Sequence, residues 1–245
     1  MNIDKAVFLI TGAANGLGKG LCKYFVSLGA KVVAIDIDEK NLLKLEKELA
    51  KGKGSLKPFC LDITDLDGIE DVINKSISEL KTIDVLINNA AIRVLKPFED
   101  LEKGEIDKMI DVALKGTIYL TQIVSRIMIK NKKGHIFNIS SMAGLKAVNK
   151  NASIYTAAKF GITGFSEAIA KYLIDYGIHV VNLCPGGINT AMWRDCGYIF
   201  GNENKKYLMD PKEIAEVIEF ILTRKRETTM FKNMVFFPFC EIERY

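Results

Sequence analysis

The chain has 245 residues, 49% of them hydrophobic and 26% charged, with a net charge of +4 spread over interleaved acids and bases; that suffices for one large α/β domain or two small ones, and the small basic excess argues against a nucleic-acid partner. Met1 to Lys5 leads straight into an apolar strand with no signal-peptide pattern, and no apolar run approaches the roughly 18 residues of a membrane span, so a cytoplasmic, unanchored protein is expected. Cys22, Cys60, Cys184, Cys196 and Cys240 are scattered without CxxC spacing, which points to reduced, buried thiols and away from disulfides or a metal site.

In chain order, Ala6 to Ile10 reads as a strand and Leu17 to Leu28 as a helix stopped by Gly29. Strands follow at Lys31 to Ile35 and Leu56 to Leu61, with helices at Glu39 to Ala50 and Leu66 to Leu80. Helices of that length serve as right-handed crossovers onto a parallel sheet. Ile83 to Asn88, His135 to Ser140 and His179 to Cys184 continue the strands, with helices Lys103 to Lys130 and Ser153 to Tyr176 between them. Pro211 to Arg224 is a last helix before a strand from Asn233 to Phe237, and the basic runs Lys130 to Lys133 and Arg224 to Arg226 read as cations at helix C-termini. The alternation is unbroken by linker or repeat. A single doubly wound Rossmann domain over residues 1–245, α/β with a seven-stranded parallel sheet flanked by helices, is the expectation.

The turn after the first strand, Thr11-Gly12-Ala13-Ala14-Asn15-Gly16-Leu17-Gly18, spaces its glycines as G-x-x-x-G-x-G and does not match a P-loop. Glycines at a strand-to-helix turn allow close backbone approach, and the helix N-terminus offers free N–H groups to a pyrophosphate. Asp36 ends the second strand eighteen residues past Gly18, near the spacing at which a carboxylate meets the adenosine ribose, and it favours NAD over NADP. Asp38, one strand-end further on, reads as the N-cap of the second helix. Farther along, Tyr155 and Lys159 lie one helical turn apart. Alone that spacing fits any helix face. Beside a dinucleotide site, an ammonium near a phenol lowers the cost of phenolate and allows proton exchange with an alcohol or carbonyl oxygen.

These motifs together resemble the short-chain dehydrogenase/reductase family, and the resemblance covers essentially the whole chain. It rests on the glycine turn, Asp62, Asn88-Asn89-Ala90-Ala91, Ser140-Ser141, Tyr155-x-x-x-Lys159 and Pro185-Gly186-Gly187-Ile188-Asn189-Thr190. The resemblance implies that Tyr155 is the acid/base, Lys159 lowers its pKa and holds the nicotinamide ribose, and Ser141 binds the substrate oxygen. It implies NAD contacts from Gly12, Asn15, Gly16, Leu17, Gly18 and Asp36, with Asp62 and Ile63 at adenine. Asn89 falls on the adenosine side, and Ile188 and Thr190 at the carboxamide. Many members carry an asparagine where this chain has Ala113, so a catalytically silent NAD-binding relative stands as the alternative to an enzyme interconverting a secondary alcohol and a ketone. The substrate pocket is expected from Arg93 to Pro97, Leu145 to Asn151 and a lid at about 191–209. Trp193 in that lid suits an apolar ligand such as a steroid or acyl thioester. Apolar residues on several faces of the long helices, and the aromatic run Phe236, Phe237 and Phe239, predict a homotetramer, with a dimer as fallback.

Overall fold

The computed structural model describes residues 1–194, 208–225 and 229–238. Seven parallel strands form one sheet in the order β3-β2-β1-β4-β5-β6-β7: β1 Val7–Thr11, β2 Lys31–Asp36, β3 Ser55–Cys60, β4 Val85–Asn88, β5 Gly134–Ile139, β6 Ile178–Pro185 and β7 Asn233–Phe236. The helices are α1 Gly16–Ser27, α2 Glu39–Leu49, α3 Leu66–Leu80, α4 Lys103–Ile110, α5 Gly116–Asn131, α6 Ser153–Leu173, α7 Ala191–Arg194 and α8 Pro211–Thr223. This is the doubly wound α/β architecture expected from the alternation of strand and helix.

Every residue of β1 is buried, because alternate side chains enter two different cores. Phe8 and Ile10 pack with Leu21 and Phe25 of α1, Leu42 and Leu45 of α2, and Ile214 and Ile218 of α8. Val7 and Leu9 pack on the opposite face with Ile69 and Ile73 of α3, Leu120 and Val124 of α5, and Leu173 of α6. The strand order turns back between β1 and β4, and the carboxyl ends of the strands diverge there to open a crevice.

The expected helix from Lys103 to Lys130 is interrupted. A π turn over Asp111–Lys115 separates α4 from α5, with the Gly116 N–H reaching back to the Asp111 carbonyl. An apolar periodicity of 3.6 does not reveal one inserted residue. The stretch Lys103–Asn131 is long and apolar enough to cross a membrane by length and composition. Here Leu120, Val124 and Met128 place it against the sheet as a core helix. At the end of α5, Lys132 adopts left-handed geometry (φ 53°) as the helix cap, as the basic run suggested. The expected aromatic edge is partly covered, since Phe236 packs against the α1/α8 core, whereas Val235 stays 46% exposed. Residue Phe239 lies outside the described residues.

Candidate active site

A cavity of about 520 Å³ lies at the carboxyl ends of β1, β4, β5 and β6. Its floor is the turn between β1 and α1. Gly12 and Gly16 hold φ of +64° and +51°, which any L side chain resists. A Cβ on Gly18 would stand 2.0 Å from the Gly12 carbonyl oxygen, so the first turn of α1 can rest on the loop only with glycine there. The Thr11 hydroxyl oxygen accepts the Asn89 and Ala90 backbone N–H groups at 3.0 and 3.1 Å. In return the Asn89 side-chain amide donates to the Thr11 and Gly12 carbonyls at 2.9 and 3.2 Å. Asn89 therefore holds the glycine turn in shape while it also lines the cavity.

Asp36 lines the same cavity. Its two oxygens accept the Ala14 N–H at 2.9 Å and the Asp38 N–H at 3.0 Å, which fixes the carboxylate at the loop. Asp38 caps α2 by accepting the Asn41 N–H at 3.0 Å and also accepts from the Asn15 amide at 3.0 Å. The Asn41 N–H is the main reason its carboxyl is held below the usual carboxylate range.

Tyr155 and Lys159 project from one stripe of α6, both buried. The Lys159 ammonium donates to the Ile139 carbonyl at 2.6 Å and stands 5.7 Å from the centre of the Tyr155 ring. Burial pulls its pKa from 10.5 down to about 8. Of the two adjacent serines, Ser140 is buried, donates to the Lys159 carbonyl at 3.0 Å and lies 3.2 Å from the Thr163 hydroxyl. The Ser141 oxygen accepts the Ala143 N–H at 3.1 Å from a half-buried position in the wall. Both serines line the cavity.

Other expected residues distribute as follows. Gly12, Asn15, Gly16, Leu17, Ile188 and Thr190 line the cavity with those above, and Gly18, Asp62 and Ile63 do not. Asp62 is exposed and accepts from both the backbone and the hydroxyl of Thr64, at 2.9 and 2.8 Å. Ile63 turns into the core, where it packs against Gly116. The side chain of Trp193, and the lid beyond α7 as far as residue 207, lie outside the described residues. Ala113, within the π turn, packs in an apolar cluster with Ala158 and Ile162 of α6.

Two features escaped the sequence reading. Arg93 was expected in the pocket segment Arg93 to Pro97 and does line the cavity, but the sequence did not show that its guanidinium lies over the Tyr155 ring, 5.5 Å from the ring centre. The second is a row of asparagines. Asn88, Asn138, Asn182 and Asn233 are register partners on β4, β5, β6 and β7. Asn88 donates to the Thr121 hydroxyl at 2.9 Å and the Asn138 oxygen at 2.8 Å. Asn138 donates to the Ser166 hydroxyl at 2.8 Å, and Asn182 to the Asn233 oxygen at 3.1 Å and the Thr163 hydroxyl at 3.2 Å. Asn233 donates to the Glu167 carboxylate at 2.8 Å. Since Thr163 and Glu167 extend the stripe of Tyr155 and Lys159 in steps of four, this row clamps that face of α6 to the sheet. Aligning the strands by depth would have revealed it.

A family model described as "short chain dehydrogenase" matches residues 6–197. Among similar proteins, a 3-oxoacyl-[acyl-carrier-protein] reductase of Thermotoga maritima is 38% identical over 192 residues, 78% of either chain. An uncharacterized oxidoreductase of Staphylococcus aureus is 28% identical over 224 residues, 91% of this chain and 94% of its own. Two solved structures superpose closely. A metagenomic short-chain oxidoreductase in complex with NADP gives a TM-score of 0.83 at 27% identity, covering 97% of this chain and 99% of that one. A 3-oxoacyl-[acyl-carrier protein] reductase of Brucella melitensis gives 0.85 at 26% identity, over 96% and 91%.

Proposed function

The chain belongs to the short-chain dehydrogenase family, and from that membership we propose an NAD-dependent oxidoreductase that interconverts a secondary alcohol and a ketone. The observation that carries this is the buried pair on α6, a phenol with a buried ammonium 5.7 Å from its ring, at the wall of a cavity floored by the glycine turn. The cavity suits a nicotinamide dinucleotide. Gly12, Gly16 and Gly18 leave a cradle that a Cβ would fill or strain, and the amides of α1 open onto it. The bound dinucleotide supplies or takes up the hydride.

The protein's own residues handle the proton and the orientation. Tyr155 gives its proton to the carbonyl oxygen on reduction and takes it back on oxidation. Moving a phenol from its ordinary pKa of about 10 to about 7 needs roughly 4 kcal/mol of preference for phenolate. One cation at about 6 Å contributes roughly 3 kcal/mol at an effective dielectric near 20. Lys159, with its pKa of about 8, still carries that charge for most molecules at pH 7. Ser141 donates to the substrate oxygen and fixes its aim at Tyr155. The apolar walls, Met142, Ala143, Val148, Ala152 and Met192, receive the hydrocarbon part and exclude water.

Asp36 supports NAD over NADP, because a carboxylate held at the ribose end repels a 2′-phosphate. The NADP in the metagenomic structure is a property of that protein. A second reading, an NAD-binding protein without turnover, draws on Ala113, which packs in an apolar cluster with Ala158 and Ile162 and whose side chain can neither donate nor accept. Incubation with NAD and a panel of secondary alcohols, followed by NADH absorbance, separates the two. Turnover of at least one alcohol is expected. NAD binding with no turnover across the panel overturns the enzyme reading.

A further inference from the structure

Arg93 stands five residues past the end of β4, at the rim of the cavity, with its guanidinium over the Tyr155 ring. Its neighbours Ile92 and Val94 pack into the cluster of Met109, Ala143, Ala152 and Tyr155, so the backbone carrying Arg93 is seated against the catalytic helix. Three described side chains in the cavity wall are charged. Asp36 is fixed at the glycine turn and the Lys159 ammonium is turned to the Ile139 carbonyl. Arg93 is the cation on the side of Tyr155 formed by Ala143 and Ala152.

Resting on the oxidoreductase reading above, we propose that Arg93 receives a carboxylate of the substrate, and that the enzyme acts on short 2-oxo or 3-oxo acids and the matching hydroxy acids. A guanidinium presents a planar fork that matches a carboxylate with two parallel hydrogen bonds, and it keeps its charge at every working pH. The distances suit a short acid. A cation over the face of a phenol ring lies about 6 Å from its hydroxyl oxygen. With hydrogen bonds of roughly 2.8 Å at each end, the carboxylate is bonded directly to the oxygen-bearing carbon or stands one carbon away from it. An acyl thioester has no negative group at that position, so this chain diverges from the substrate named for its Thermotoga relative. In the forward direction hydroxy acid plus oxidised dinucleotide gives oxo acid, reduced dinucleotide and one proton.

The test uses the full chain with NADH and compares 2-oxobutanoate and 3-oxobutanoate, each against its methyl ester, in the wild type, Arg93→Gln and Arg93→Lys. In the wild type at least one acid is expected to exceed its ester at least tenfold in kcat/KM. Arg93→Gln lowers the acid-to-ester ratio of kcat/KM at least tenfold, chiefly by raising KM for the acid, and Arg93→Lys recovers part of the loss. An ester used as well as its acid by the wild type, or an equal loss for acid and ester in Arg93→Gln, overturns the proposal. A binding measurement keeps the two readings apart. Calorimetric titration of the protein–NAD complex with butanoate should show binding that Arg93→Gln abolishes and Arg93→Lys weakens. If butanoate binds in this way but no oxo acid is turned over, the oxidoreductase reading falls and the carboxylate site stands; if butanoate does not bind the wild type, the site falls.

Discussion

Lys159→Met separates what burial does to the lysine from what the lysine does for the site. Burial holds the folded-state pKa near 8 against 10.5, and at 1.36 kcal/mol per pH unit that gap is worth about 3 kcal/mol. The depressed value means that the unfolded chain holds this proton more tightly than the fold does. The penalty is therefore complete below pH 8, and stability is regained as pH rises from 8 to 10.5. Methionine fills similar volume and does not titrate. It also deprives the Ile139 carbonyl of its donor at 2.6 Å, a cost of about 1–3 kcal/mol that does not vary with pH. The stability of the wild type minus that of the variant should thus climb by about 3 kcal/mol between pH 7.5 and 10.5, whatever its value at pH 7.5. Urea denaturation of the ligand-free proteins at matched concentration, followed by far-ultraviolet circular dichroism in half-unit pH steps, measures it. Subtraction removes the titrations common to both. A flat difference would refute the buried, weakly basic lysine.

Tyr155→Phe removes only a hydroxyl, so NAD affinity measured by titration should persist while kcat falls at least about 100-fold; near-normal turnover would show that the proton is handled elsewhere. For cofactor choice, the carboxylate of Asp36 should favour NAD over NADP by about 2 kcal/mol, roughly 30-fold in kcat/KM. Asp36→Ala should narrow that ratio, and equal values in the wild type would remove the basis for the assignment. As for assembly, the exposed Val235 on the last strand and the exposed Phe160 and Tyr172 on α6 suit contacts between copies. Light scattering should give a tetramer, falling to dimers when residues 236–245 are deleted, and a mass near the 27.3 kDa of one chain would refute it.

The strands and their parallel direction were legible because a strand buried on both faces is nearly all apolar, as Val7 to Ile10 are, and helices of ten or more residues leave only parallel crossovers between them. Tyr155 and Lys159 were legible for a different reason, since their contact depends on a spacing of four within one helix. Contacts between distant segments were not. The packing of Ile63 behind Gly116, the seat of Arg93 on Tyr155 and the use of the Asn89 amide beneath the glycine turn all depend on how loops approach one another in space. The π turn at Asp111–Lys115 was hidden because a single inserted residue leaves the apolar pattern on either side intact.

The asparagine row also bears on how the sheet finds its register. In parallel strands that are apolar on both faces, a slip of two residues keeps side chains on their proper face and exchanges one aliphatic contact for another. Such a sheet discriminates weakly between neighbouring registers. Four amides at one depth change that, because a slip that brings Leu86, Ile136, Val180 or Val235 into the row sets an apolar side chain against an amide on the next strand. Each amide left without its partner costs about 1–3 kcal/mol. The row acts as an alignment key, cut across four strands, and a half of the sheet that assembles out of step forfeits the hydrogen bonds to Thr163, Ser166 and Glu167 that hold α6.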